Sequence, residues 1–310
     1  MQYLLSSPQF LGNIFNDHPR LIGHKQTIMK KFILLSLLVL SQTTLMAQIQ
    51  VPPASPTFEV KGTIGLTEVH LVYSRPSAKG RVVAGELIPY GEVWRTGANA
   101  STKISFSTDV WIEGHKVPAG QYALYSLFSA DQATIILSKN LELWGAIGYS
   151  EADDQLRFNV PVKHPTSSYE TLTMSFSDFT MNSANFNIKW DHTKVMFSIV
   201  SQVDELVMSQ IKEQVIENTP SNPGVYFQAA GYYFDTQKDD RMALAWVDKA
   251  IAGSPQKQYW VVHLKAKILA RLGEKSAAKA AAESSIELAK TAGNPDYVHL
   301  NNQLIADLAL

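Results

Sequence analysis

The sequence predicts an α+β multidomain chain: an N-terminal antiparallel β-sandwich followed by a C-terminal all-α bundle of helical hairpins. Three observations carry that expectation. Apolar residues recur with period two before residue 202 and with helical period after it. No long helical pattern interrupts the first half, which argues against βαβ units.

Successive strand side chains point to opposite faces, so alternation reads as half-buried strands. Val69, Leu71 and Tyr73 share one face, as do Ile104 and Phe106 within 103–107. Similar runs follow at 110–112, 122–127, 134–138, 156–160, 171–176, 186–190 and 195–200. Turn chemistry separates them at Glu113-Gly114, Pro118-Ala119-Gly120, Asp153-Asp154 and Asp191-His192. Eight or nine short strands at this spacing favour a sandwich. Trp111, Tyr122, Tyr125 and Trp190 lie in these runs and are expected in the core.

Beyond residue 202, Val207, Ile211 and Val215 recur at i+4 and mark an amphipathic helix. Asn222-Pro223 and Asn294-Pro295 each read as an N-cap followed by proline at the first helical position. Gly253 and Gly273 stand where helices should end. A shift of 35 residues pairs Gly231 with Ala266, Phe234 with Leu269, Ala243 with Ala278 and Ile251 with Ile286. Phe227, Ala230, Gly231, Phe234, Ala243, Val247, Ala250 and Pro255 resemble a tetratricopeptide unit. The region is therefore expected to form a tetratricopeptide-like bundle, with an ordinary stack of helical hairpins as the alternative.

Met29-Lys30-Lys31, the apolar run 32–40 and the small-residue stretch ending at Ala47 have the layout of a secretory signal peptide. The apolar run is too short to span a bilayer, which needs about 20 residues. The expected organisation is an upstream stretch at 1–28 from a misassigned start, a signal peptide at 29–47, a β-sandwich domain at 48–202 and a helical domain at 203–310. The expected location is periplasmic or secreted, with no membrane anchor after cleavage. The chain has no cysteine, which excludes thiol lipidation, disulfides and thiolate metal sites. Removing residues 1–47 leaves 23 basic and 27 acidic residues, a balance that does not suggest a nucleic-acid partner.

The run 73–103 carries the candidate site. Arg75, Lys79, Arg81 and Arg95 are interleaved with Tyr90, Trp94 and Asn99 on a connection broken by Pro76, Gly80, Gly85, Pro89, Gly91 and Gly97. Guanidinium groups form forked hydrogen bonds to carboxylates and phosphates. Tyr90 and Trp94 offer flat faces for stacking, and Asn99 adds a donor and an acceptor. The competing structural reading pairs Arg75 and Arg95 with Glu86 and Glu92 and makes Trp94 a plug at the open end of the sandwich. No His pair has metal-ligand spacing, Asp153-Asp154 reads as a solvated turn, and no cofactor is expected.

YSRPSAKGR (73–81), LIPYGEVWRTGAN (87–99), VPAGQYALYS (117–126) and TIILSKN (134–140) together resemble the bacterial family known as domain of unknown function 2911, over about residues 55–200. The resemblance implies an exported single-sandwich protein, in some members with a helical extension, and supplies no catalytic residue. The expected function is a periplasmic binding or interaction module. Its sandwich would hold a small polar or anionic ligand, and its helices would contact a protein partner. The alternatives are a cell-envelope hydrolase or lyase acting on a carbohydrate-like substrate, and a purely structural envelope protein.

Overall fold

The computed structural model describes residues 51–308, and the readings placed on 1–28 and 29–47 lie outside the described residues. Ser55–Leu310 form one compact unit. Twelve strands come first: β1 (Thr57–Ile64), β2 (Thr67–Ser74), β3 (Val93–Trp94), β4 (Thr102–Phe106), β5 (Val110–Ile112), β6 (His115–Val117), β7 (Gly120–Phe128), β8 (Gln132–Ser138), β9 (Asp154–Pro161), β10 (Tyr169–Ser177), β11 (Ser183–Asp191) and β12 (Thr193–Ser201). They form a seven-stranded sheet in the order β1-β2-β4-β7-β8-β9, with β3 also paired to β7, and a five-stranded sheet in the order β10-β11-β12-β5-β6. Every strand ladder is antiparallel.

The alternation read from sequence decides which face each sheet buries. Val69, Leu71, Tyr73, Ile104 and Phe106 of one sheet meet Ile112, Leu172, Met174, Phe186 and Ile199 of the other in one apolar cluster. Phe158 of β9 packs edge-on against Phe197 of β12, ring centres 5.2 Å apart, which ties the two layers together. All nine expected strands form. β1, β3 and β6 are additional. β1 pairs only with β2, so most of its residues stay exposed and leave no apolar alternation to read. β3 has two residues, too few to show a period.

Trp190 and Tyr122 are buried as expected, but Trp111 is only half-buried. Val110 and Ile112 face the core, so strand parity turns Trp111 outward, where the Lys116 ammonium lies 5.6 Å from its ring centre. Tyr125 is fully buried, though not between the sheets. It joins Ala123 and Ile136 in a separate apolar cluster on the outer face of the seven-stranded sheet.

Six α-helices follow: α1 (Val203–Ile211), α2 (Pro223–Asp235), α3 (Asp240–Gly253), α4 (Tyr259–Arg271), α5 (Lys275–Thr291) and α6 (Pro295–Leu308). The start signals act as expected. Asn222 Oδ1 accepts from Gly224 N at 2.9 Å, and Asn294 Oδ1 accepts from Tyr297 N at 3.2 Å. Gly253 ends α3, and Gly273, with φ of +79°, follows the end of α4. α2–α3 and α4–α5 are successive hairpins whose small residues Ala230, Ala243, Ala266 and Ala278 are fully buried. The helical apolar cluster shares no residue with the sandwich core.

Gly231, expected to be small because helices touch there, is half-buried. A Cβ built on it would meet Leu264 Cδ2 at 3.9 Å, an ordinary contact. The position therefore accepts at least a methyl group. At Asn301 a fully buried amide donates to Ser285 Oγ at 2.9 Å and accepts from His263 Nδ1 at 2.8 Å, joining α4, α5 and α6 through a polar network.

Candidate functional site

The connection from β2 to β4 carries all seven candidate residues, and the structure divides them. Arg75 donates from Nε to the Leu172 carbonyl at 2.9 Å and from Nη2 to Thr173 Oγ1 at 2.9 Å. Its guanidinium also lies 4.4 Å from the Phe58 ring centre, so it ties the connection to β10. Arg81 donates to the carbonyls of Ala78 and Ser77, each at 2.8 Å, and holds its own turn closed. Backbone carbonyls and one threonine hydroxyl hold these two groups; of the acceptors the structural reading named, Glu86, Glu92 and backbone carbonyls, only carbonyls are used by them. Lys79 is exposed at a left-handed turn position, and its backbone N–H donates to Glu170 Oε1 at 2.9 Å. Tyr90 is exposed and lies over Gly85, where an added Cβ would meet its ring at 3.1 Å. Asn99 donates to Ser74 Oγ at 3.3 Å.

Trp94 and Arg95 part company by strand parity. Trp94 faces inward, stacks on Trp190 with ring centres 5.8 Å apart, and donates from Nε1 to the Gly97 carbonyl at 3.0 Å. It packs, partly buried, against the sandwich core. Arg95 falls on the opposite, outer face of the seven-stranded sheet. Thr96 then adopts φ of +50°, an unfavourable conformation for a β-branched residue. Three hydrogen bonds hold it there. Thr96 Oγ1 lies 2.9 Å from Ser126 Oγ and donates to the Trp94 carbonyl at 3.3 Å, while Thr102 Oγ1 donates to the Thr96 carbonyl at 2.6 Å. Such strain costs on the order of 1–3 kcal/mol and persists only where the surroundings impose it.

Arg95 is the unusual member. Its Nε is buried and has no hydrogen-bond partner. Among the described residues its guanidinium forms no ion pair. It packs under Gly145, which has φ of +76° and where an added Cβ would lie 2.8 Å from Arg95 Nη1. On the same outer face stand Tyr125, Lys103 of β4 and Ser101 just before it, the last two opposite in parity to Thr102 and Ile104. Lys103 Nζ donates to Ser101 Oγ at 2.5 Å. Burial pushes the Lys103 ammonium below its ordinary pKa, and the nearby Glu142 carboxylate acts in the opposite direction. Burial raises the Tyr125 phenol, with Ser101 opposing.

The loop between β8 and β9 covers this corner. Leu141, Leu143, Ala146 and Tyr149 pack down on Ala123, Tyr125 and Ile136, and Tyr125 Oη donates to the Gly145 carbonyl at 3.2 Å. Tyr149 anchors the far end of the loop. Its hydroxyl donates to Asp154 at 2.8 Å and accepts from Arg157 Nη2 at 2.7 Å; burial, then Asp154, pushes it up to about 12. Asp153-Asp154, read as a solvated turn, is thus used internally: Asp153 also accepts from Asn140 at 3.2 Å. Trp144 and Ile147 on the same loop remain 68% and 85% exposed.

Next to this corner, a solvent-open groove of about 830 Å³ runs over the outer faces of β1, β2, β4 and β7. Lys61, Glu68, His70, Ser105, Ser107 and Gln121 line it. The candidate set read from the sequence includes Arg95 but not Ser101 or Glu142, and it leaves out Lys103 although that residue belongs to the same cationic run. Ser101 and Lys103 were legible as the polar half of the β4 alternation. Glu142 was not, because a loop residue carries no period.

The architecture is a two-layer antiparallel sandwich carrying a helical extension, with a cationic corner and a polar groove on the outer face of its larger sheet. Residues 55–199, which span the sandwich, match the model of the family described as Protein of unknown function (DUF2911). No curated protein and no solved structure matches the chain.

Proposed function

We propose that the protein is an exported binding module that holds a polar, anionic ligand on the outer face of the seven-stranded sheet, with Arg95 as its anchoring cation. The carrying observation is the buried Arg95 Nε, a charge-bearing donor without an acceptor. Buried donors are nearly always paired, so an unpaired one marks a place where an acceptor is wanted. Lys103 adds a second cation, and a ligand carboxylate or phosphate would meet both. The loop carrying Gly145 must shift to admit it. Export rests on the charged, apolar and small-residue run from Met29 to Ala47. The helices are read as the protein-contacting part. Support comes from a groove of about 490 Å³ between α3, α4 and α5, lined by Leu244, Ile251, Leu269, Ala277 and Ala281.

The test is a thermal-shift screen of carboxylates, sugar acids and inorganic phosphate on the wild type and on Arg95→Gln. A ligand-dependent rise in melting temperature that Arg95→Gln abolishes supports the reading. A hit that Arg95→Gln leaves intact moves the site elsewhere. N-terminal sequencing of protein recovered from its own host should begin at or near Gln48, and retention of residues 32–40 would overturn export.

A further inference from the structure

The cationic corner and the groove lie on one strand face. Ser101, Lys103, Ser105 and Ser107 occupy successive outward positions of β4 and its flanks. They cover roughly 20 Å at about 3.3 Å per residue. Lys103 belongs to the corner, and Ser105 and Ser107 line the groove. Across the sheet, Lys61, His70, Ser105 and Gln121 stand in one row by register. That row offers an ammonium and an imidazole, 3.9 and 3.3 Å from the exposed Glu59 carboxylate, with a hydroxyl and an amide, and Glu68 adds a second carboxylate. These groups suit an occupant dense in hydroxyls.

The corner has a defined charge. Arg95 and Lys103 are cations and Glu142 is an anion, so the cluster carries one net positive charge, which matches one carboxylate better than a doubly charged phosphate. Trp144 lies in the loop beside Gly145, exposed, and offers a flat apolar face of the kind on which a sugar ring stacks. Glu68 would repel a carboxylate within the groove, so the acidic unit belongs at the Arg95 end.

We infer that corner and groove form one track for an acidic oligosaccharide, a linear chain of hydroxyl-bearing units whose carboxylate docks at Arg95 and Lys103 while neighbouring units lie over Ser105, His70 and Gln121. The inference rests on the anion-binding reading of Arg95 and extends it to a ligand class and a direction.

Calorimetric titration of the purified protein with monomeric glucuronate, a tetrasaccharide of three neutral xylose units carrying one terminal glucuronate, and neutral xylotetraose tests it. The expected result is acidic-tetramer binding at least tenfold tighter than the monomer, with no measurable binding of the neutral tetramer. The double variant His70→Ala/Gln121→Ala is expected to bind the acidic tetramer no more tightly than the monomer, and Arg95→Gln to bind neither. Gln121→Ala alone, at an exposed position, should show the same direction should the double variant fail to fold. Equal affinity for monomer and tetramer in the wild type overturns the track and leaves the anion site standing. A tetramer preference that the groove variants do not change also overturns it. Equal binding of acidic and neutral tetramers overturns the acidic assignment. Absence of binding by either uronate overturns the inference, and the anion reading then stands or falls separately on whether other carboxylates or phosphate give an Arg95-dependent thermal shift.

Discussion

Replacing Arg95 by methionine should stabilise the ligand-free protein. The methylene stem of Arg95 packs under the Gly145 loop, and methionine preserves most of that apolar contact. The guanidinium, by contrast, buries Nε without an acceptor. An unsatisfied buried donor costs about 1–3 kcal/mol, more when the group is charged. Arg95 as a residue is only half-buried, so screening lowers that figure. The expected net gain is about 1–2 kcal/mol, a rise of roughly 2–4 °C in melting temperature per kcal/mol for a domain of this size. The same substitution at Arg75 should act in the opposite direction. It removes two hydrogen bonds at 2.9 Å and the contact with the Phe58 ring, for a loss of about 2 kcal/mol. Urea unfolding of both variants followed by circular dichroism, without ligand, provides the comparison. If Arg95→Met loses more than about 1 kcal/mol, the guanidinium is satisfied in the free protein and is not poised for an outside acceptor.

Three further outcomes are expected. Gly65, with φ of +58°, leaves a Cβ only 2.3 Å from Val203 Cγ2, so Gly65→Ala should cost about 3 kcal/mol through backbone strain and overpacking where α1 begins; an unchanged melting temperature would refute that contact. Gly231→Ala should stabilise by about 0.5–1 kcal/mol, because the helix interior gains propensity and the methyl meets only Leu264 at ordinary distance; a measured loss would show that the α2–α4 approach is closer than described. His263 is held below the ordinary imidazole pKa by burial, with Asn301 opposing and Lys267 adding to the effect. Its folded-state pKa is lowered, so its contribution to stability is fully present above the unfolded value of about 6.5 and is lost as pH falls below it. Unfolding of wild type and His263→Gln between pH 7.5 and 5 should show a steeper loss in the wild type, and parallel curves would refute this linkage.

Periodicity alone determined the fold class and the change from strand to helix. Each sheet buries one face and each helix one stripe, so Val69-Leu71-Tyr73 and Val207-Ile211-Val215 advertise their elements without knowledge of any partner. Capping at Asn222 and Asn294 was legible for the same local reason: a side-chain oxygen satisfies the N–H groups of the next few residues. The edge strand β1 was not legible, because an exposed strand has no burial to impose alternation. Within the run 73–103, residue types announced hydrogen-bonding capacity but not its destination. Arg75 and Arg95 have identical side chains. One meets a carbonyl and a hydroxyl of β10, a strand nearly a hundred residues away; the other lies beneath a loop that packs on the outer sheet face. Tyr125 was read as core and is buried, yet tertiary structure put that burial under the 141–149 loop, where it closes over Arg95. The division between anchoring and poised cations is a property of long-range pairing. A sequence records which groups need partners, and the fold decides which of them receive one.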